Sequence, residues 1–579
     1  MFKGHPKGLY ALALSNTGER FGYYTMLAVF ALFLRENFGL EAGTAGAIYS
    51  TFLGLVYFMP LIGGVMADKF GFGKMVTIGI SIMFVGYMLL SFPLGGDMIA
   101  MIAMMAALLF ISLGTGLFKG NLQVMVGDLY NDPKYADKRD SGFSLFYMAI
   151  NVGSLFAPTT AVGIKNWAQN DLGYSSNDAY HFAFAVACVA LVVSIIIYYA
   201  FRSTFRHVEG GKKNGAAAAQ VNDTLTPAET KQRIVALCLV FAVVIFFWMA
   251  FHQNGLTLTY FADEFTNTTA FGFDTMLFDV WNLVMLIVAV YATFSIFQST
   301  SAKGKLTSGV LATGILAFLV YRAFGAEGTE LAVSAPIFQQ FNPFYVVALT
   351  PVSMAIFGSL AKSGKEPSAP RKIAYGMLVA AIGFAIMAVG SQGLNTPNDQ
   401  ARAIAVNKAE TIAKDMNNAA DDAALKAAEK AKSDFEGKLT KENKEVFETV
   451  YNASMVTMSA DSDQAQVAAA NAELEAIKAD TKEETRTSPY WLIFTYLILT
   501  FAELLLSPMG ISFVSKVAPP KLKGLMMGGW FVATAIGNML VAVGGFLWAG
   551  IPLWSVWAVF IVLCLLSALF MFVMMKRLE

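Results

Sequence analysis

Long apolar segments dominate this 579-residue sequence and constrain its fold more than any other feature. Fourteen of them approach the roughly 20 mostly apolar residues that a helix needs to cross a bilayer. They are centred near residues 22, 56, 85, 110, 153, 191, 243, 286, 315, 347, 381, 498, 535 and 563. Only 14% of the residues are charged, whereas soluble domains carry about a quarter. The sequence therefore predicts an all-α membrane protein with fourteen transmembrane helices.

Lysine and arginine are distributed unevenly between the loops. They are frequent in alternate short loops, at residues 69–74, 134–139, 202–213, 362–372 and 516–523. The positive-inside rule assigns these loops to the cytoplasm, and an even number of spans places both termini there. Glu19 and Arg20 interrupt the apolar stretch that a signal peptide requires, so we expect an uncleaved N-terminus. We predict an integral protein of a bacterial inner membrane.

Two segments depart from the succession of apolar helices. Residues 203–230 contain GGKKNGAAAAQ and predict a flexible cytoplasmic linker, which follows a first bundle at residues 1–202. Residues 396–487 contain no apolar run of membrane length and divide the second bundle into residues 231–395 and 488–579. The count of spans places this Ala-rich insertion in the periplasm. Strong helix formers predict a helical hairpin, with disorder as the alternative.

Ionisable side chains inside the apolar segments carry the functional signal. A charge at the bilayer centre costs about 2.5–3.5 kcal/mol on insertion scales unless it faces a partner or water. In the first segment, Glu19 and Arg20 share a polar helix face with Tyr23. Lys119 and Glu503 have no opposite charge within their own segments. We therefore expect Lys119 to pair across helices, lose its proton or face a water-filled cavity, which is the least costly solution.

These residues also have structural interpretations. Glu19 and Arg20 can form an internal ion pair with no further role, and His252 can be a hydrogen-bonded structural residue. Asn151 and Asn342 can join neighbouring helices, as amides do in membrane bundles. As a set, however, they supply cations in the first half, an anion in the second and amides in both. A small zwitterion requires that combination for its carboxylate and its ammonium.

Seven segments resemble motifs of the proton-dependent oligopeptide transporter (POT/PTR) family, part of the major facilitator superfamily. They occur in the family's order and cover nearly all of the helical portion. The segments are GERFGYY (18–24), GGVMADKFGFGK (63–74), FYMAINVGSL (146–155), FWMAFHQ (247–253), FQQFNP (338–343), EPSAPRK (366–372) and AELLLSPMGISF (502–513). The resemblance implies the major facilitator fold of two six-helix bundles. Two extra helices are then expected at about residues 275–325, a position unlike the central linker of many bacterial members.

The resemblance implies a secondary active transporter that imports dipeptides and tripeptides by proton symport. By this resemblance, Arg20 and Lys119 hold the peptide carboxylate, while Glu503, Asn151 and Asn342 hold its amino end. The pocket for varied side chains is then lined by Tyr23, Tyr24, Tyr57 and Trp530. The implied mechanism is alternating access, in which two bundles rock around a central site.

Proton coupling and gating follow from the same resemblance. Asn16 replaces the first glutamate of the family's first-helix motif, so coupling is expected to involve Glu19, Glu503 or His252. We hypothesise that neutral His252 accepts a hydrogen bond from Lys119, and that its protonation near pH 6 to 7 biases the gate. Gating at the cytoplasmic face is assigned to two residues after the second span, Asp68 and Lys69.

Other functions are weighed against peptide import. The family also contains carriers of nitrate and other small solutes, and a transporter-like sensor or scaffold is a further alternative. An enzyme is not expected, because the sequence shows no metal-ligand cluster, nucleotide-binding loop or nucleophile motif. Its three cysteines lack zinc or disulfide spacing, and zero net charge gives no sign of nucleic-acid binding. The expected partners are short peptides and membrane lipids. No cofactor is expected besides protons, and the protein is expected to function as a monomer.

Overall fold

The computed structural model describes residues 4–210, 225–459, 462–519 and 522–578. Thirteen helices in these ranges are long and apolar enough to cross a membrane. A further helix, Lys7–Phe38, carries Glu19 and Arg20 within its apolar sequence and brings the number to the fourteen that the sequence predicts. An even number of spans places the described ends of the chain on one face, called here the terminal face. The opposite face carries the insertion and is called the insertion face.

Within residues 4–210, the first half of the molecule contains six long helices. They are α1 (Lys7–Phe38), α2 (Ala42–Phe70), α3 (Phe72–Leu90), α4 (Met98–Asp128), α5 (Arg139–Asn170) and α6 (Ser176–Ala200). Gly39, at φ 61°, ends α1 in the left-handed conformation that glycine adopts without steric cost. Gly63 of α2 lies very close to Gly116 of α4. A Cβ atom on Gly63 would be 2.1 Å from the carbonyl oxygen of Gly116. Small residues thus allow these helices to approach closely around the site.

Within the described ranges, eight helices form the core of the second half. They are α7 (Pro227–Phe251), α8 (Thr257–Glu264), α11 (Phe341–Lys362), α12 (Ala369–Gly390), α17 (Tyr490–Val517), α18 (Lys523–Met539), α19 (Ala542–Trp548) and α20 (Leu553–Leu578). A 3₁₀ turn at His252–Gly255 separates α7 from α8, so His252 sits at a break in the helix. Of the predicted linker, residues 211–224 lie outside the described residues, and residues 227–230 belong to α7.

Two extra spans lie between α8 and α11, in the region where the sequence predicts them. They are α9 (Val280–Gln298) and α10 (Ala302–Gly325). A short antiparallel sheet brackets the pair at the insertion face, with β1 (Thr269–Phe271) facing β2 (Glu330–Ala332). The Tyr291 hydroxyl donates to the Val347 carbonyl at 3.1 Å, which fixes α9 against α11. This pair therefore packs on the outside of the second half.

In its described residues the insertion forms four helices, where the sequence predicts a hairpin of two. They are α13 (Pro397–Asn417), α14 (Asp422–Glu436), α15 (Lys441–Met458) and α16 (Gln464–Ala479). Asp421, Thr440 and Asp463 cap the last three helices and set where each begins. Phe447 and Tyr451 belong to an apolar core that the insertion has for itself. The insertion is therefore a separate structural unit on the insertion face.

Candidate functional site

A cavity of about 300 Å³ lies between the two halves. Its walls are formed by α1, α2, α4 and α5 of the first half and by α7, α11, α17 and α18 of the second. The predicted substrate-binding residues all line it, namely Arg20, Tyr23, Tyr24, Tyr57, Lys119, Asn151, Asn342, Glu503 and Trp530. His252 lines it as well. Residues widely separated in sequence thus converge on one chamber.

Arg20 of α1 contributes a positive charge that is already balanced. The Nε and Nη2 atoms of Arg20 both donate to the carboxylate of Glu19, and Arg20 is only 2% exposed. The guanidinium carbon lies 4.5 Å from the centroid of the Tyr23 ring. Glu19 is fully buried behind Arg20 and does not line the cavity. The internal pair that the sequence suggests therefore forms, but its cation still faces the chamber.

Lys119 of α4 contributes a second positive charge with different surroundings. Its Nζ atom lies 4.2 Å from the centroid of the Tyr57 ring, a distance suited to a cation–π interaction. Within the described ranges, Lys119 forms no ion pair with a carboxylate. An aromatic face compensates an ammonium less completely than a carboxylate does. Lys119 therefore presents a largely uncompensated positive charge to the cavity.

Glu503 of α17 is the acidic group on the opposite wall. One of its oxygens accepts a hydrogen bond from Asn342 Nδ2 at 3.0 Å, and the other accepts one from the Tyr147 hydroxyl at 3.2 Å. Asn342 Nδ2 also donates to Thr500 Oγ1 at 3.1 Å, which orients the amide. Neutral donors orient the carboxylate but do not cancel its charge, and no cation of the described chain pairs with it. Glu503 therefore supplies an oriented negative charge.

Tyr147 is a site residue that the sequence analysis did not assign. It lies on α5, one helical turn before Asn151, so both side chains face the cavity. The Asn151 amide donates to the Tyr147 carbonyl at 3.1 Å and makes no hydrogen bond to Glu503. The signal was present in the motif FYMAINVGSL, which places a tyrosine four residues before the asparagine. Contact with Glu503 of a distant helix could not be read from that spacing.

His252 lies among aromatic rings at the break between α7 and α8. Its ring stacks on Trp248 at a centroid distance of 5.3 Å and lies 6.2 Å from the Tyr57 ring. The Nε2 atom has no hydrogen-bond partner among the described residues. The hypothesised hydrogen bond from Lys119 is not formed here, because the lysine lies over Tyr57 instead. A role of His252 in coupling stays a prediction.

Contacts between the halves close the cavity towards the insertion face. Gln339 Nε2 donates to the Ala28 carbonyl at 2.9 Å, and Thr159 Oγ1 donates to Gln340 at 3.0 Å. Nearer the insertion, Arg35 of α1 forms an ion pair with Glu264 of α8. These bonds join helices that would have to separate before a solute could enter from that face.

The predicted gating residues lie at the other face. Asp68 and Lys69 are exposed in the last turn of α2, well away from the cavity lining. Neither forms an ion pair with another residue of the described ranges. Their role in closing the terminal face stays a prediction.

The sequence profile described as PTR2, POT family, matches residues 73–226, 322–413 and 453–546. Together these segments cover more than half of the chain. This chain belongs to the POT family. Since members of this family are transporters, the POT-family chain described here is an integral membrane transporter and not an enzyme.

Characterised and uncharacterised relatives match this POT-family chain over nearly its whole length. It is 27% identical over 570 residues to the uncharacterized transporter YclF of Bacillus subtilis, which covers 93% of this chain and 88% of the relative. It is 26% identical over 573 residues to the peptide transporter YePEPT of Yersinia enterocolitica, with 94% and 88% covered. It is 23% identical over 552 residues to dipeptide and tripeptide permease A of Escherichia coli, with 92% and 83% covered.

Solved structures share the fold of this POT-family chain. A POT family transporter in complex with 5-aminolevulinic acid superposes with a TM-score of 0.66 at 18% identity, covering 100% of this chain and 98% of that one. A POT family transporter in complex with a thioalcohol-conjugated peptide gives a TM-score of 0.64 at 18% identity, with the same coverage. The architecture is therefore the major facilitator fold with two extra helices.

Proposed function

We propose that this chain imports dipeptides and tripeptides together with protons, by alternating access of a central zwitterion-binding site. The observation that supports this most is the placement of Lys119 and Glu503. Both line one cavity from opposite halves, and within the described chain neither has an ion-pair partner. Such a cavity favours a ligand that carries two opposite, separated charges.

Under this proposal the peptide is held by its two ends. Arg20 and Lys119 bind the terminal carboxylate, and Glu503 binds the terminal ammonium with help from Asn342 and Asn151. Longer peptides are rejected because their two termini cannot reach both anchors at once. The relatives named as peptide transporter or as dipeptide and tripeptide permease support this choice of substrate.

The remaining walls accept varied peptide side chains. Aromatic faces provide contact area without demanding one hydrogen-bonding pattern, so they discriminate weakly between side chains. The residues proposed for this role are Tyr23, Tyr24, Tyr57 and Trp530. Broad selectivity for side chains follows, combined with strict recognition of the main-chain termini.

Proton coupling is assigned to residues whose protonation changes the charge of the binding site. A proton on Glu19 removes the partner of Arg20 and frees the guanidinium for the substrate carboxylate. A proton on Glu503 removes the anion that holds the ammonium and favours release. A proton on His252 adds positive charge near Lys119. Asn16 cannot titrate, so it takes no part.

The proposed cycle also requires an orientation in the membrane. We place both termini in the cytoplasm of a bacterium and the insertion in the periplasm, in agreement with the positive-inside rule. The inter-half contacts then close the periplasmic side, as expected after uptake. Asp68 and Lys69 take part in closing the cytoplasmic side when the carrier turns outward. The carrier acts as a monomer in the lipid bilayer.

Uptake into proteoliposomes tests this function. Purified protein is reconstituted, and entry of a radiolabelled dipeptide is followed with and without an inward proton gradient. We expect accumulation that depends on the gradient, competition by unlabelled dipeptides and tripeptides, and no competition by tetrapeptides or nitrate. Competition by nitrate with no effect of peptides would instead identify a carrier of another solute. Dipeptide binding without uptake would favour a sensor.

A further inference from the structure

The insertion is fixed firmly to the second half of the molecule. Its chain leaves α12 and returns into α17, both of which belong to that half. Gln400 Nε2 donates to the Glu264 carbonyl at 2.8 Å, and Asn398 Nδ2 donates to the Ala549 carbonyl at 3.3 Å. Thr487 exchanges backbone hydrogen bonds with Phe265 and Asn267 at 2.8 and 3.0 Å. Backbone pairing of this kind attaches the insertion to the end of α8.

One segment of the insertion also reaches across to the first half. It comprises α14 and the turn that follows, and it forms hydrogen bonds and an ion pair with α1, α5 and α6. Asp434 accepts hydrogen bonds from the Ser176 backbone N–H at 3.0 Å and from Gln169 Nε2 at 3.1 Å. Lys430 Nζ donates to the Gln169 carbonyl at 2.5 Å. The insertion thus bridges both halves on the face that is closed.

Lys438 forms the charged centre of this bridge. Its Nζ atom lies 3.3 Å from the carboxylate of Glu36 at the end of α1, which also accepts from the Tyr180 hydroxyl at 2.7 Å. Burial alone lowers the pKa of Lys438, but the nearby carboxylates of Glu36 and Asp263 outweigh it and raise the pKa. The ammonium is therefore retained at physiological pH. Lys165, 3.9 Å from Glu36, adds a second cation to the cluster.

The insertion is attached differently to the two halves. The chain itself joins it to the second half, whereas side chains of α14 and the following turn hold it to the first half. The apolar core of the insertion is separate from the core of the membrane helices, so separating α14 from the first half exposes little apolar surface. Polar groups regain hydrogen bonds with water when such an interface opens, which keeps the net cost small. Glu36 lies one position beyond Arg35, whose ion pair with Glu264 closes the same face. Opening this face must pull α1 away from both contacts.

We propose that the insertion is a strap that stays attached to the second half and releases the first half each time the insertion face opens. The α14 contacts then set how readily the carrier reaches the conformation that admits substrate from that face. This inference rests on the alternating access proposed above. It gives the insertion a function in the transport cycle that the central site does not supply.

Cysteine cross-linking tests the strap with a matched control. A Cβ atom at Gly437 would lie 3.3 Å from Asn177 Nδ2, so N177C/G437C places two thiols across the contact with the first half. N398C/A549C places two thiols across the attachment to the second half. Both pairs are made in a variant whose native cysteines, Cys188, Cys238 and Cys564, are replaced by alanine.

The strap predicts that oxidation of N177C/G437C stops dipeptide uptake and that a reductant restores it. Oxidised N398C/A549C is expected to transport dipeptide at the same rate as the same variant with its thiols reduced. Undiminished uptake by oxidised N177C/G437C overturns the strap, and so does equal inhibition of both pairs. The reduced proteins must take up dipeptide, and failure at that step counts against the proposed transport function instead.

A distance measurement tests the strap without relying on uptake. Spin labels at the N177C/G437C pair are expected to show a short and a long distance in reconstituted protein, whereas labels at N398C/A549C show one. Lys438→Gln should raise the long-distance population about twofold, because an ion pair that favours the closed contact is lost. Lys444→Gln is the control, since Lys444 pairs within α15 with Glu448 at 3.9 Å. A single short distance in all variants contradicts release.

Discussion

The two walls of the central cavity compensate their charges in different ways. On the wall of the first half, Arg20 is neutralised by Glu19, while Lys119 has only the face of Tyr57. On the wall of the second half, Glu503 accepts hydrogen bonds from neutral donors and pairs with no described cation. Under the proposed function, a zwitterionic substrate would therefore gain most at Lys119 and Glu503. Arg20 gains a partner only when Glu19 gives up its charge.

The largest effect is expected for Glu503→Gln. This change keeps the shape of the side chain but removes the anion that we propose binds the peptide ammonium. Loss of one partner of a buried charge pair costs roughly 2–5 kcal/mol, so we expect dipeptide affinity to fall roughly 100-fold or more. The measurement is competition for uptake of a labelled dipeptide.

A modified substrate sharpens this test. An N-acetyl dipeptide, which has no ammonium, should bind the wild-type carrier much more weakly than the free dipeptide. The same modification should make little difference to the Glu503→Gln variant. Wild-type rate and affinity in that variant would show that the amino-terminus assignment is wrong.

Lys119→Gln is expected to have the next largest effect. The variant loses the uncompensated cation, but Arg20 still faces the same part of the cavity, so we expect affinity to fall roughly 30-fold. A dipeptide amide, which lacks the terminal carboxylate, should show little further loss in this variant. If the amide is discriminated as strongly as by the wild type, Lys119 does not bind the carboxylate.

Tyr147→Phe tests the orientation of Glu503. The variant removes one hydrogen bond to the carboxylate and leaves the ring in place. Hydrogen bonds to charged groups contribute about 1.5–3 kcal/mol, part of which water can replace in a cavity, so we expect KM to rise roughly tenfold. Tyr345→Phe on α11 is the control, because Tyr345 does not line the cavity. Equal kinetics of the two variants would remove Tyr147 from the site.

The smallest effect is expected for His252→Ala. Its ring is stacked on Trp248 and forms no described hydrogen bond to Lys119, so the maximal rate should change little. If His252 takes up a proton during the transport cycle, its loss should shift the pH profile of uptake, by about one unit or less. His207→Ala, at an exposed residue on the terminal face, provides the comparison. An unchanged profile with normal expression would exclude His252 from coupling.

The helices could be predicted because their signals are local. Membrane-length apolar runs specify a span wherever they occur, since an unpaired backbone in lipid is too costly. Three of the four helices described in the insertion also begin after local signals, Asp421, Thr440 and Asp463, which apolar periodicity alone does not reveal. The set of intramembrane polar residues was visible for a related reason, because such residues are rare in apolar segments.

The sequence alone therefore determined the spans, the family resemblance and which side chains were candidates for a site. Only the tertiary structure decided that Glu19 neutralises Arg20, that Lys119 lies over Tyr57 and that Tyr147 reaches Glu503. It also decided that α14 crosses to the first half, where Lys438 meets Glu36. These contacts depend on how distant helices are rotated and packed against one another. No local pattern of residues contains that information.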